Sequence, residues 1–347
     1  MTATMTGTDF ITPIKAELQD FEERLHQTVR ADLGPVAEAM EQILDAGGKR
    51  LRPSLVFLAA GLGHPSRMDD VHRAAMAIEF IHNATLIHDD LIDGAPTRRG
   101  LRTIHESLGA NPAIIIGDYY FAKGANLMSQ IGNTSIDALL SQTVMTICFG
   151  EMLQLTSQRR YDQTLDEYYA KIERKTAVLL GASTFCGAVL GDLPEPEVQA
   201  IRRFGRLLGM SFQIADDVLD YLASEEEVGK PVGNDLKQGT VTLPLMLARH
   251  DPSLDGQLDA ILARPALQDA DYAEVVRIVR GSRGIDESYE YARTFGEKAR
   301  AELQAFAPTA HRDALESLTY YVVGRRNQPA RTQWPPFGWR PEAARSP

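Results

Sequence analysis

The chain has 347 residues, 44% of them apolar and 24% charged, with a formal net charge of −11 from 36 basic and 47 acidic side chains. That acidity excludes a general nucleic-acid binder, and the composition is that of a globular protein with enough chain for one large domain. No basic-then-apolar leader opens the chain, and its nearest approach to a membrane span, "AVLLGASTFCGAVLG" at 177–191, is too short and too rich in small residues, so a cytoplasmic protein is expected.

Residues 1–9 are expected to be disordered. Helical periodicity then dominates. "VHRAAMAIEFIHNATLIHDDLID" (71–93) runs without Gly or Pro, and 134–156, 165–190 and 197–222 also read as long helices. Alternating strand patterns are nearly absent, and Gly and Pro fall between the long segments. The reading is an all-α bundle forming one domain over 10–326. Residues 327–347 hold five prolines and both tryptophans, Trp334 and Trp339, and read as a flexible tail. Cys148 and Cys186 sit in apolar helical contexts and are expected to be buried free thiols.

Two of the long helices end in acid. The first ends in Asp89, Asp90 and Asp93 ("DDLID"), the second in Asp216, Asp217 and Asp220 ("DDVLD"). In each copy the first and last carboxylates are four residues apart and stack on one helical face. Oxygen pairs on that spacing suit a hard divalent cation such as Mg²⁺. One such motif is weak evidence, because acidic helix ends are common. Two copies are harder to dismiss, since six facing carboxylates without a cation would repel strongly.

Basic residues recur near loops and helix ends: Lys49, Arg50 and Arg52 in "GGKRLRP", Arg98 and Arg99 after the first acid motif, Lys171 and Lys175 in "KIERKTA", and Lys230 and Lys237 in "GKPVGNDLKQG". Each alone reads as a solvated charge. Together they are what two diphosphates need. The acid and base of residues 89–99 then serve different partners, the aspartates a metal and the arginines phosphate oxygens.

The ordered set "GGKRLRP", "HDDLIDGAPTRRG", "GDYY", "GEMLQ", "KT", "FQIADDVLD", "GKPVGNDLKQG" and "TLP" resembles the trans-isoprenyl diphosphate synthase family over roughly residues 40–250. The resemblance implies an all-α, isoprenoid synthase-type bundle around a central cavity, normally a homodimer. It implies three Mg²⁺ held by Asp89, Asp93 and Asp216, with Asp90, Asp217 and Asp220 in support. Arg98, Lys175 and Lys230 would grip an allylic diphosphate. Lys49, Arg52, His82 and Arg99 would bind isopentenyl diphosphate. Thr176 and Gln213 would set oxygens near the allylic cation, and Gln154 and Asp118 match positions near the metals. The sequence departs from the family at Thr240, where lysine is frequent. Membrane contact is expected for product release only.

The implied reaction is condensation of isopentenyl diphosphate with an allylic diphosphate to an all-trans polyprenyl diphosphate. Ala84 and Thr85, five and four residues before Asp89, are small, so a medium to long product is expected, with Ile81 and Ile78 as the next constrictions on that helix. The segment from Val71 to Asp89 spans about 27 Å, room for roughly five or six units. Met145 and Cys148 are weaker candidates for the cavity floor. The alternatives are a short-chain farnesyl or geranylgeranyl diphosphate synthase, a class I terpene cyclase, which the second intact aspartate motif disfavours, and a non-catalytic partner subunit, which typically loses both motifs.

Overall fold

A computed structural model describes residues 9–34, 37, 40, 50–222 and 233–324. Lys49, Lys230, Trp334 and Trp339, and both expected disordered ends (apart from Asp9), lie outside the described residues. After a short 3₁₀ segment (Asp9–Ile14), the helices are α1 (Lys15–Leu33), α2 (Leu51–Ala60), α3 (Met68–Ile92), α4 (Ile104–Leu108), α5 (Ala110–Ser129), α6 (Thr134–Thr156), α7 (Leu165–Ile172), α8 (Val178–Leu190) and α9 (Glu195–Leu222). The C-terminal set is α10 (Asn234–Lys237), α11 (Leu243–Arg249), α12 (Gln257–Leu262), α13 (Asp269–Gly281), α14 (Gly284–Glu302) and α15 (Ala310–Gly324). The one sheet among the described residues is a two-stranded hairpin, β1 (Thr97–Arg98) and β2 (Leu101–Arg102), pairing Thr97 with Arg102 and Arg98 with Leu101.

Local signals set several boundaries. Asn133 caps α6 by accepting from the amides of Ser135 at 3.0 Å and Ile136 at 3.2 Å. Thr164 and Glu167 form a reciprocal capping box on α7. The expected helix over 165–190 is broken: a single π turn (Glu173–Ala177) separates α7 from α8. Such turns insert one residue into a helix and recur at functional sites.

The helices bury two apolar clusters. One gathers α1–α3, α5, α6, α8, the first half of α9 and α15. The other gathers α7, the second half of α9 and α11–α14. Helix α9 belongs to both, with Phe204 and Leu208 in the first and Ile214 and Tyr221 in the second. Glycines let the central helices close up. A Cβ on Gly124 of α5 would lie 2.9 Å from Ile81 of α3, and one on Gly209 of α9 would lie 2.5 Å from Ala177. The backbone of α9 is thereby pressed against the π turn.

Helix α6 departs from expectation. It, rather than 177–191, has the length and composition to cross a membrane, with a mean hydropathy of 1.2 over an 18-residue window that is one third buried. Met145, Phe149, Met152 and Leu155 are exposed along it. Cys148 lies on the same outer side, so only Cys186 is the buried thiol expected of both. Met145 is 65% exposed and cannot floor an internal cavity, and the same holds for Cys148.

Candidate active site

The first acid motif forms the C-terminal turn of α3, with Asp93 as its cap residue. Negative charge is disfavoured there, because the helix dipole already places partial negative charge at that end. Burial pushes the Asp89 carboxyl up to about 6, with Glu151 and Asp93 adding to the rise and Lys175 opposing it. Lys175 Nζ lies 2.7 Å from Glu151 and 3.6 Å from Asp89. Burial works against the Lys175 charge, but Asp89 and Glu151 outweigh it and hold the amine above its usual range.

Asp90 points elsewhere. Arg98 of β1 donates from Nε to both of its oxygens at 2.9 and 2.7 Å, and its Nη2 lies 2.7 Å from Oδ1. This corrects the expectation that acid and base here serve separate partners. One residue of helix turns Asp90 away from Asp89, and the hairpin folds Arg98 back onto it. Asp90 therefore positions Arg98 and leaves only part of its guanidinium uncommitted.

A basic pocket forms beside this turn. Arg50, in the left-handed region at φ 42°, is buried and pairs with Glu79 at 2.9 Å and Glu22 at 2.5 Å. Burial opposes its charge, but the two carboxylates more than offset that. Arg50 is thus spent on structure, joining α1 to α3. Arg52 is placed differently. Its Nε is buried with no hydrogen-bond partner among the described residues, and burial lowers the guanidinium to about 10, with Arg99 contributing. Burial, then Arg52 and Arg99, hold His82 neutral, well below its usual range. Arg99 sits at φ 53°, its own charge disfavoured by burial and by Arg98. Glu79 offsets part of this crowding of charge, and the buried, unmatched Arg52 donor suits a further anion.

The second acid motif ends α9. Asp217 accepts from Tyr168 Oη at 2.7 Å and from Gln213 Nε2 at 2.8 Å. Gln213 Oε1 in turn accepts from Thr176 Oγ1 at 2.6 Å. Burial raises the carboxyls of both Asp217 and Asp220, with Asp235 adding to each. Asp220 also accepts from the Asp235 amide at 3.3 Å. Asp216 is exposed. The π turn is the junction of the two motifs: Lys175 faces Asp89 while Thr176 reaches Gln213 and, through it, Asp217.

Other predicted residues fall outside this cluster. Lys171 is buried against the Val241 carbonyl at 2.9 Å and Gln163 at 3.3 Å, with Asp217 and Asp235 supporting its charge against burial, so it lies on the side of the second acid motif and does not join Lys175 beside Asp89. Lys237 pairs with Asp269 at 2.9 Å on the surface, and the Thr240 amide donates to Asp235 O at 2.8 Å. Asp118 is 70% exposed, 3.7 Å from His88, and Gln154 is half-buried. Ala84 is buried, Thr85 donates to the His82 carbonyl, and Ile81 lines a cavity between α3, α5 and α6. Five residues of the site were not singled out in sequence: Glu22, Glu79, Glu151, Tyr168 and Asp235. Glu151 and Asp235 lie inside quoted motifs, "GEMLQ" and "GNDLKQG", and were within reach.

Among the described residues no three acidic, His or Cys groups converge as a ready metal site. The donors nonetheless fit a hard cation. They are carboxylate oxygens, several with raised affinity for a proton, gathered at helix C-termini where positive charge is favoured.

The comparisons with known proteins agree with this chemistry. Residues 35–279 match the family model of polyprenyl synthetases. The chain is 38% identical over 311 residues to heptaprenyl diphosphate synthase component 2 of Geobacillus stearothermophilus, covering 90% of this chain and 96% of that one. Its fold superimposes with a TM-score of 0.87 on the polyprenyl synthase of Caulobacter crescentus, solved with calcium and isoprenyl diphosphate, at 32% identity and covering 94% and 100% of the two chains. Heptaprenyl diphosphate synthase of Staphylococcus aureus follows at 0.85, with 31% identity and 90% and 98% coverage. Two aspartate-ended helices, a π turn between them and a basic pocket alongside are thus carried by a chain that belongs to the polyprenyl synthetase family.

Proposed function

We propose that the protein is a prenyltransferase that condenses isopentenyl diphosphate with an allylic diphosphate to an all-trans polyprenyl diphosphate of medium to long chain. The observation that carries this reading is the position of Lys175 and Thr176. Adjacent residues of one π turn face the two acid motifs, and the basic pocket of Arg52, His82 and Arg99 lies next to the first.

In this reading Asp89, Asp93 and Asp216 hold Mg²⁺, which when bound supplies positive charge to the departing diphosphate. Asp220 supports the second motif. Arg98 and Lys175 bind the allylic diphosphate, Lys175 by sharing itself between Asp89, Glu151 and phosphate. Arg52, His82 and Arg99 bind isopentenyl diphosphate. The allylic carbon–oxygen bond breaks and the electron pair leaves with diphosphate. The isopentenyl alkene then attacks the allylic cation, and a proton is lost to the released diphosphate. Thr176 and Gln213 place oxygens beside that cation, and Asp217 keeps Gln213 oriented.

A homodimer is part of the proposal. Ile115 on α5 and Met145, Phe149 and Met152 on α6 are each at least half exposed, and a second copy of the same face would cover them.

The test is incubation of the purified protein with Mg²⁺, isopentenyl diphosphate and farnesyl diphosphate, with products sized by mass spectrometry. A polyprenyl diphosphate longer than four units is expected. A product ending at four units or fewer would reassign the chain to short-chain synthesis. Absence of condensation with every allylic primer would refute the proposal.

A further inference from the structure

The π turn is held at each of its residues. The Val178 amide donates to the Glu173 carbonyl, five residues back, so Glu173–Ala177 carries one residue more than an α-helical turn needs. Glu173 pairs with Arg206 of α9. Arg174 lays its guanidinium over the ring of Phe149 of α6, 5.5 Å from the centroid, and donates to the Ala170 carbonyl at 3.3 Å. Lys175 pairs with Glu151 of α6, Thr176 donates to Gln213 of α9, and Ala177 abuts Gly209 of α9. Two glycines make room for the first two of these contacts. A Cβ at Gly150 of α6 would lie 2.9 Å from the Arg174 Cβ, and one at Gly181 of α8 would lie 2.5 Å from the stem of Arg206.

The turn needs holding because its neighbours are fixed. Tyr168 and Ile172 anchor α7 in the second apolar cluster, and Leu179 and Leu180 anchor α8 in the first. The surplus residue between them cannot be lost, but it can move along the helix. Every residue it passes turns by about 100° and shifts by about 1.5 Å. Passing Lys175 and Thr176, it would take one from Asp89 and the other from Gln213.

Resting on the prenyltransferase reading above, we infer that Phe149 and Arg206 are positioning residues of the reaction: from outside the site they clamp Arg174 and Glu173, and so keep the surplus residue where Lys175 and Thr176 face the two acid motifs. Neither reaches the acid motifs itself. Phe149 is half exposed on the outer side of α6. Arg206 is exposed on α9, ten residues or about 15 Å before Asp216. Contacts this open to solvent add little to stability. Their effect is on register: a small displacement of Lys175 and Thr176 changes the rate far more than it changes folding.

The experiment compares the parent protein with Arg206→Ala, Arg174→Ala, Arg174→Lys and the exchanged pair Glu173→Arg/Arg206→Glu. Hydrogen exchange at residues 173–178 is followed in the substrate-free protein, and steady-state kinetics with Mg²⁺, farnesyl diphosphate and isopentenyl diphosphate in the same preparations. Both alanine variants should exchange faster at these amides and lose about 10-fold or more in kcat/KM for the allylic substrate, through kcat and KM together. The KM for isopentenyl diphosphate, bound at the Arg52 pocket, and the melting temperature should hardly move. Arg174→Lys keeps a cation over the ring and should recover most of the rate, as should the exchanged pair. Arg174→Ala leaves the apolar face of α6 intact, so its effect is not one of assembly. Parental exchange and kinetics in the alanine variants, or a loss shared equally by both substrates, overturns the assignment. A parent protein that condenses nothing refutes the underlying activity instead, and the exchange rates still test the clamp.

Discussion

Thr176 donates to Gln213 across 2.6 Å, and that single hydrogen bond ties the π turn to the second acid motif. Gln213 spends its amide nitrogen on Asp217, leaving its carbonyl oxygen for Thr176. The three groups act as a relay of orientation. Thr176→Val keeps the shape and removes the donor. It should lower kcat by about 10-fold or more with a smaller change in KM, as expected for a group that matters most when charge develops. Steady-state kinetics on both substrates checks this, and a pure KM effect would place Thr176 in ground-state binding.

Arg52 and His82 should separate the two substrates. Arg52→Ala removes a buried charge from a pocket set apart from Lys175. The KM for isopentenyl diphosphate should rise by about 10- to 100-fold, for the loss of a charge-assisted hydrogen bond, with little effect on the allylic substrate. Varying one substrate at a time decides the matter. An equal effect on both would merge the two diphosphate sites.

The Arg50–Glu22–Glu79 group is expected to act on stability first. Glu79→Gln leaves a buried guanidinium with one fewer carboxylate, and loss of one partner of a buried pair costs about 3–5 kcal/mol. Denaturant unfolding measures this. A change below about 1 kcal/mol would mean that solvent reaches Arg50.

Asp89 gives a pH prediction for the metal-free protein. Its carboxyl titrates at about 6 when folded against 3.8 for the ordinary group. The folded state therefore binds the proton more tightly. The protein is favoured below the lower value, and stability falls as pH rises from about 4 through about 6, by up to about 3 kcal/mol. Asp89→Asn should remove that loss, raising the melting temperature at pH 7 while reducing activity by orders of magnitude. Added Mg²⁺ should stabilise the parent more at pH 7 than at pH 5. A lower melting temperature for the variant would show that the site is not strained by its own charge.

The apolar face of α6 predicts assembly. Phe149→Asp places a charge on a surface that the second copy would cover, and light scattering should show a shift from dimer to monomer. A monomeric parent would remove the homodimer from the proposal.

The helices were legible because 3.6-residue periodicity is strong over long segments. Residues 134–156 and 197–222 appear almost as read, with boundaries within two residues. The acid motifs were legible because their four-residue spacing is itself geometry. The π turn was not, since one inserted residue leaves the composition of "KIERKTA" unchanged. Met145 and Cys148 misled because an apolar helix does not say which of its faces is covered by its own chain. Arg98 misled for a different reason. Its pairing with Asp90 depends on a hairpin of two-residue strands, and Thr97 to Arg102 carries no alternation by which to see it. Glu22 and Glu79 sit on helices with nothing in their spacing to mark them as partners of Arg50.

Helix α9 runs unbroken for 28 residues, about 42 Å, and serves both apolar clusters. A rigid member shared by two cores couples their melting, because neither can open without exposing a face of the same helix. The chain should behave as one cooperative folding unit, with a single heat-absorption peak and amides at the middle of α9 among the last to exchange. A catalytic apparatus built at the end of that helix inherits the stability of the entire bundle, not that of the nearer half.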